Sequence, residues 1–146
     1  MYYDSSASLF YIANEASNQI DVFSTSLTLT KSINLGSYNP YGVSVYNESL
    51  YVGVYTGNVV LVLQNSVITK VFSINSCTSG LFTSVIFDFV GYMAIVCYLQ
   101  NSITLYDYNG NYMNVVQAST SYPYILDIDA AGRMILTTAR QLDIYY

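Results

Sequence analysis

Asp127 and Asp129 stand two residues apart in the run Ile125-Leu126-Asp127-Ile128-Asp129. On a strand that spacing points both carboxylates to one face. Two strand residues span about 7 Å, inside the roughly 5–10 Å range of carboxylate pairs that cleave glycosidic bonds. The same acids also have a structural reading. Asp4, Asp88 and Asp129 each precede an apolar strand opener, Leu9, Met93 and Met134, by the same interval. The last two share D-x-x-G-x-M, with Gly91 and Gly132 in register. An Asp ahead of such a Gly caps a tight turn, and this is the preferred reading of Asp88 and Asp129. Asp21 and Asp143 recur inside another strand and are expected to meet solvent or a Tyr hydroxyl.

Other chemistry is thinly supplied. The chain has no His, so it lacks the commonest general base and metal ligand, and a Ser nucleophile would have no imidazole partner. Cys77 and Cys97 are the only cysteines, too few for a zinc site. They read as small buried hydrophobes; a bridge would require close Cα atoms, which spacing does not supply. No Gly-rich phosphate loop opens a helix. No catalytic residue, metal site or cofactor is therefore expected; calcium held through Asp127 is the alternative to that reading.

Charge narrows the partners. Lys31, Lys70, Arg133 and Arg140 are the only cations in a chain of net charge −5. They are too scattered to neutralise phosphates, so neither nucleic acid nor an anionic membrane surface is an expected partner. No apolar run is long enough for a membrane-spanning helix. The 17 Tyr suit strands, and equally suit contact surfaces, having an apolar body and a polar tip.

The elements that hold these residues repeat. Leu9, Leu50, Met93 and Met134 open equivalent strands at steps of 41, 43 and 41 residues. A second strand keeps the same beat, QIDVF, NVVLV, SITLY and QLDIY. A period of about 40 residues filled with short strands is that of a propeller blade. The expected fold is all-β, a β-propeller of four-stranded antiparallel blades in one domain or propeller segment. The blade units are 1–35, 41–74, 83–118 and 124–146, about four blades with the last incomplete. Met1–Asp4 reads as a remnant of the first inner strand. Asn109-Gly110 marks a hairpin. Runs such as NVVLVL do not alternate, because both faces of a blade pack against neighbouring blades.

The segment YIANEASNQIDVFSTSLTLTKSINLGSYNPYGVSVYNESLYV resembles the YVTN-type β-propeller repeat, related to the NHL repeat. Tyr11-Ile12-Ala13-Asn14 stands where that repeat carries its name, Ile20-Asp21-Val22-Phe23 matches its third strand, and Asn39-Pro40-Tyr41-Gly42 its loop. Ser121-Tyr122-Pro123-Tyr124 echoes that loop. The resemblance implies a binding scaffold or, in some relatives, a lyase, and a ring larger than these blades build.

Two function classes follow. The first is a non-catalytic scaffold for binding or self-assembly, with protein or glycan contacts through Tyr-rich surfaces. The alternative is a propeller-fold enzyme, acting on glycans or as a lyase with carboxylate chemistry. Tyr38, Tyr41, Tyr122 and Tyr124 lie in loops between outer and inner strands and form the candidate ligand surface. Leu142, Asp143, Ile144, Tyr145 and Tyr146 form a third strand with no outer partner, a candidate assembly edge. The expected partner is a second copy, giving about eight blades, or the remainder of a larger propeller. Few lysines, abundant Ser, Thr, Asn and Tyr, and the acceptor triplet Asn47-Glu48-Ser49 lean toward an extracellular or secreted protein even though the start does not read as a signal peptide, with Asn47 the glycosylation candidate.

Overall fold

Four antiparallel sheets follow one another along the chain in the computed structural model, which describes residues 1–55, 57–77, 82–87, 91–118, 123, 125–128, 133–137 and 142–145. The first sheet runs β1 (Tyr2–Asp4), β2 (Leu9–Asn14), β3 (Gln19–Ser24) and β4 (Leu29–Asn34). The second runs β5 (Pro40–Tyr46), β6 (Ser49–Val54), β7 (Val59–Gln64) and β8 (Val67–Ser73). The third runs β9 (Phe82–Phe87), β10 (Met93–Cys97), β11 (Ser102–Tyr106) and β12 (Tyr112–Gln117). The fourth is β13 (Ile125–Ile128), β14 (Met134–Thr137) and β15 (Leu142–Tyr145). Each sheet is in chain order, and β1 packs beside β5, β5 beside β9, and β9 beside β13. These are blades of a β-propeller with the inner strands adjacent. Residues 2–4 form the inner strand of the first sheet, pairing Tyr2 with Tyr11 and Asp4 with Leu9.

Turn chemistry sets the registers. Asn47 and Glu48 both take positive φ, +47° and +60°, between β5 and β6, and Asn65 and Ser66 do the same, +51° and +68°, between β7 and β8. This is the type I′ pattern whose twist matches a hairpin. The Asn109-Gly110 signal marks the β11–β12 hairpin, but with a longer loop than a two-residue turn. Asp107 Oδ1 accepts from the N–H of Asn109 and Asn111 at 2.8 and 2.9 Å, and Gly110 has φ +88°.

One periodic device escaped the sequence reading. Asn18, Asn58 and Asn101 all adopt left-handed backbone, φ +52°, +50° and +51°. Their carbonyls accept from the N–H of Leu35, Ile74 and Ala118 at 2.9, 2.6 and 2.7 Å. Each bond ties the start of a third strand to the residue just after the outer strand. Asn tolerates this conformation better than other side-chain-bearing residues.

The core lies in the seams between blades. Ile20, Val22, Ile33 and Leu35 of the first sheet meet Leu50, Val52, Leu61 and Leu63 of the second. Tyr51, Val60 and Val62 of the second sheet point the other way, onto Val85, Met93, Ile95 and Tyr106 of the third. Ala94, Val96 and Ile103 of the third meet Leu126 and Leu136 of the fourth. Successive residues of β6, β7 and β10 therefore serve opposite seams, which is why these strands read as continuous apolar runs.

Cys77 and Cys97 are disulfide-bonded, with Cα atoms 5.3 Å apart. Both sulfurs sit in the seam between the second and third sheets. The sequence reading of two separate buried thiols gives way to a covalent staple between adjacent blades, because the stagger of the blades brings the end of β10 beside the loop after β8.

Candidate functional site

The outward face of the first sheet is built from aromatic and aliphatic side chains on three adjacent strands. Tyr2, Leu9, Tyr11, Ala13, Ile20, Val22 and Ile33 face the second sheet. Alternation then sends Tyr3, Phe10, Ile12 and Phe23 to the opposite face. Phe10 pairs directly with both Tyr3 and Phe23 across the strands, and the Tyr3 and Phe10 rings lie 4.8 Å apart. Tyr3 remains 46% exposed. None of the three apolar clusters joins this face to the fourth sheet among the described residues.

Asp21 sits on the same face, partly exposed, and its bonds go to neighbouring polar side chains rather than to a Tyr hydroxyl. Its Oδ1 accepts from Ser32 Oγ at 2.5 Å and from Gln19 Nε2 at 2.7 Å, and its Oδ2 from Asn14 Nδ2 at 2.8 Å. The register places Asn14 opposite Gln19 and Asp21 opposite Ser32, so three strands converge on one carboxylate. Ser32 first and Asn14 next hold Asp21 below the usual carboxylate range. A carboxylate with its hydrogen bonds already made loses less when a partner covers it.

Asp4, like Asp107, caps a turn. Asp4 Oδ1 accepts from Ser6 N, Ser6 Oγ and Ala7 N at 2.9, 2.6 and 3.2 Å, the role expected of an Asp ahead of a strand opener. Asp127 is exposed, and its Oδ1 accepts from Ile128 N at 2.8 Å. Asp88, Asp129 and Gly132, and with them the Asp127/Asp129 pair, lie outside the described residues. No group of three or more His, Cys, Asp or Glu gathers as a metal site among the described residues.

The ligand surface read from sequence is only partly described. Tyr38 is half-buried against the seam between the first and second sheets, and the ring of Tyr41 lies 5.6 Å from that of Tyr55. Tyr122 and Tyr124 lie outside the described residues. Asn47 is exposed at its hairpin tip, while Ser49 of the same triplet is buried and accepts from Gln64 Nε2 at 3.3 Å. In the edge strand β15, Leu142 to Tyr145 pair with β14 from Thr137 to Met134, and Ile144 is 41% exposed; Tyr146 lies outside the described residues. No helix is long and apolar enough to cross a membrane among the described residues.

These carboxylates make a pH prediction. Asp4, Asp21 and Asp107 are all held below their ordinary value of 3.8, through bonds led by Ser6, Ser32 and Asn111 respectively. A depressed folded-state pKa contributes stability above the unfolded value and loses it as pH falls through the folded one. The melting temperature is therefore expected to drop on acidification below about pH 4. The triple variant Asp4→Asn, Asp21→Asn, Asp107→Asn should show a shallower drop. Identical acid limbs in thermal melts of the two proteins would contradict this.

No protein-family model and no curated protein matches the sequence. Solved structures do. Virginiamycin B lyase from Staphylococcus aureus superposes with a TM-score of 0.71 at 12% identity, over 94% of this chain and 51% of that one. The WD40 β-propeller domain of Doa1 gives 0.73 at 10%, over 98% and 48%. A streptogramin B lyase gives 0.70 at 13%, over 97% and 55%. The chain thus spans about half the length of the structures it resembles. Likeness at this level of identity shows fold alone, and the fold it shows is the β-propeller.

Proposed function

We propose that the chain is a non-catalytic β-propeller scaffold, extracellular or secreted, that completes its ring by packing against a second copy. The observation that carries this reading is the outward face of the first sheet. Tyr3, Phe10, Ile12 and Phe23 form an apolar surface around a carboxylate whose bonds are already satisfied, on the face where a ring would place another blade. Two copies would also supply roughly the length of one of the similar propellers, since each copy covers about half. A disulfide fits an oxidising compartment. The finer assignment of the repeats to the YVTN/NHL type belongs to the same proposal; Tyr11-Ile12-Ala13-Asn14 lies on β2 and Ile20-Asp21-Val22-Phe23 on β3, as that repeat requires.

The lyases among the similar structures favour the second reading, an enzyme with carboxylate chemistry. Against it, one of those lyases is catalytically inactive as a histidine-to-alanine variant, and this chain has no His.

Sedimentation at low micromolar concentration tests the proposal. The expected particle has about twice the 16.3 kDa of one chain, following the symmetry of closed dimers. Phe10→Glu should reduce it to one chain while leaving the strand signal in circular dichroism. A folded, monodisperse single chain in the unmodified protein would exclude the second copy. In that case the remainder of a longer propeller would be the occupant of this face.

A further inference from the structure

The two lysines of the chain occupy equivalent places in successive blades. Lys31 pairs with Val22 and Lys70 with Val62, each on an outer strand beside the third strand. The preceding threonines repeat too: Thr30 Oγ1 donates to the Val22 carbonyl at 2.8 Å and Thr69 Oγ1 to that of Val62 at 3.1 Å. Each lysine lines a cleft at a seam, on the edge that carries the two-residue hairpins. The clefts differ in what the ammonium does. Lys31 Nζ donates across its seam to Ser66 Oγ at 3.1 Å. Lys70 has no such partner among the described residues.

The second cleft, between the second and third sheets, has a volume of about 250 Å³. Its walls carry three tyrosines, Tyr46, Tyr51 and Tyr108, with Asn47 and Asn109 at the rim. The rings are firmly placed. Tyr46 stacks on Phe87 at 4.6 Å and 10°, and Tyr51 meets the same Phe87 edge-on at 4.4 Å. Tyr108 stands 55% exposed on the β11–β12 loop and completes the wall from the next blade. The phenols are close enough to feel one another: burial first, then Tyr46 and Tyr108, push the Tyr51 hydroxyl up. No Asp or Glu lines the cleft among the described residues.

The exposed ring of Tyr108, beside the phenols of Tyr46 and Tyr51 and the amides of Asn47 and Asn109, matches a sugar ring, which has an apolar C–H face and a rim of hydroxyls. One ammonium in an acid-free wall calls for one negative charge on the ligand, and with no competing acid beside it the pairing is charge-assisted. The volume lies just below the usual range of ligand pockets, about 300–1,000 Å³, which suits one or two sugar rings. We infer that the cleft framed by Tyr46, Tyr51, Tyr108 and Lys70 binds a carboxylate-bearing saccharide of uronic acid type. The inference deepens the binding-scaffold reading and rests on it only in taking the ligand to be held, not turned over.

The test uses the whole chain from a bacterial host, which leaves Asn47 bare, and digalacturonate as the probe. Amide chemical shifts in a titration should move around Tyr46, Lys70, Tyr108 and Asn109, with an affinity on the order of millimolar. Tyr108→Ala and Lys70→Gln, both at exposed positions, should each weaken binding about tenfold or more. Lys31→Gln, at the equivalent lysine of the preceding blade, should leave it unchanged, and circular dichroism should show all three variants folded. Absence of shifts at tens of millimolar probe, shifts that map to another surface, or equal binding of the uncharged dimethyl ester would overturn the inference. Sedimentation of the same samples separates the two proposals, because a single chain that binds the probe refutes ring completion and leaves this site standing.

Discussion

Replacing Cys77 and Cys97 together by Ala is expected to lower stability by about 3 kcal/mol or more. The bridge closes a segment of sequence separation 20, and for a loop of that length the lost chain entropy of the unfolded state amounts to about 3 kcal/mol. Burial adds to it. The two residues are 0% and 1% exposed within the apolar cluster that joins the second sheet to the third, so losing the sulfurs also leaves small voids. A loss of this size should lower the melting temperature by roughly 6–12 °C and shift the denaturant midpoint at unchanged slope. A reductant should act slowly on the native protein, because exchange needs a thiolate to reach the sulfur. A double variant within 1 kcal/mol of the unmodified protein would sink the view that the bridge holds these blades together.

The strand repeat was legible because it rests on local rules. Leu9, Leu50, Met93 and Met134 all open observed second strands or lie one residue inside them, and the flanking turns are rich in Asn, Gly and Ser. Non-alternating runs were legible as buried strands because a blade has two packed faces. What escaped depends on distances that no local rule gives. The Cys77–Cys97 pairing turns on a Cα separation of 5.3 Å set by the stagger of two blades. The cluster on Asp21 draws donors from three strands, a convergence that strand periodicity alone does not reveal. Tyr46 and Tyr108 are far apart in sequence and meet only because β9 to β12 pack on β5 to β8. The left-handed Asn18, Asn58 and Asn101 are a different case. An Asn stands just ahead of the third strand in the first three sheets, a polar signal that a period traced through apolar residues does not carry. Asp88, Asp129, Gly132, Tyr122 and Tyr124 lie outside the described residues.

Gly91→Val is expected to destabilise the fold by about 3 kcal/mol, from two separate causes. The first is backbone strain. Gly91 has φ +98°, a conformation that costs a β-branched residue on the order of 1–3 kcal/mol. The second is steric. A Cβ on Gly91 would lie 2.9 Å from Tyr46 Cζ and closer still to its hydroxyl. Tyr46 has little room to yield, because its other side is stacked on Phe87, and overpacking of this kind costs about 1–3 kcal/mol. Gly36→Val isolates the first cause: Gly36 has φ +68°, and a Cβ there would meet nothing within 4 Å. Chemical denaturation should therefore rank Gly91→Val clearly below Gly36→Val. In the Tyr46→Ala background the excess cost of Gly91→Val should shrink toward that of Gly36→Val, a coupling expected only of residues in contact. Equal costs for the two glycines, or no coupling to Tyr46, would refute the steric half of the argument. Because Tyr46 also forms one wall of the cleft holding Lys70, Gly91→Val should weaken digalacturonate binding as well, whereas Gly36→Val, on the first blade, should not.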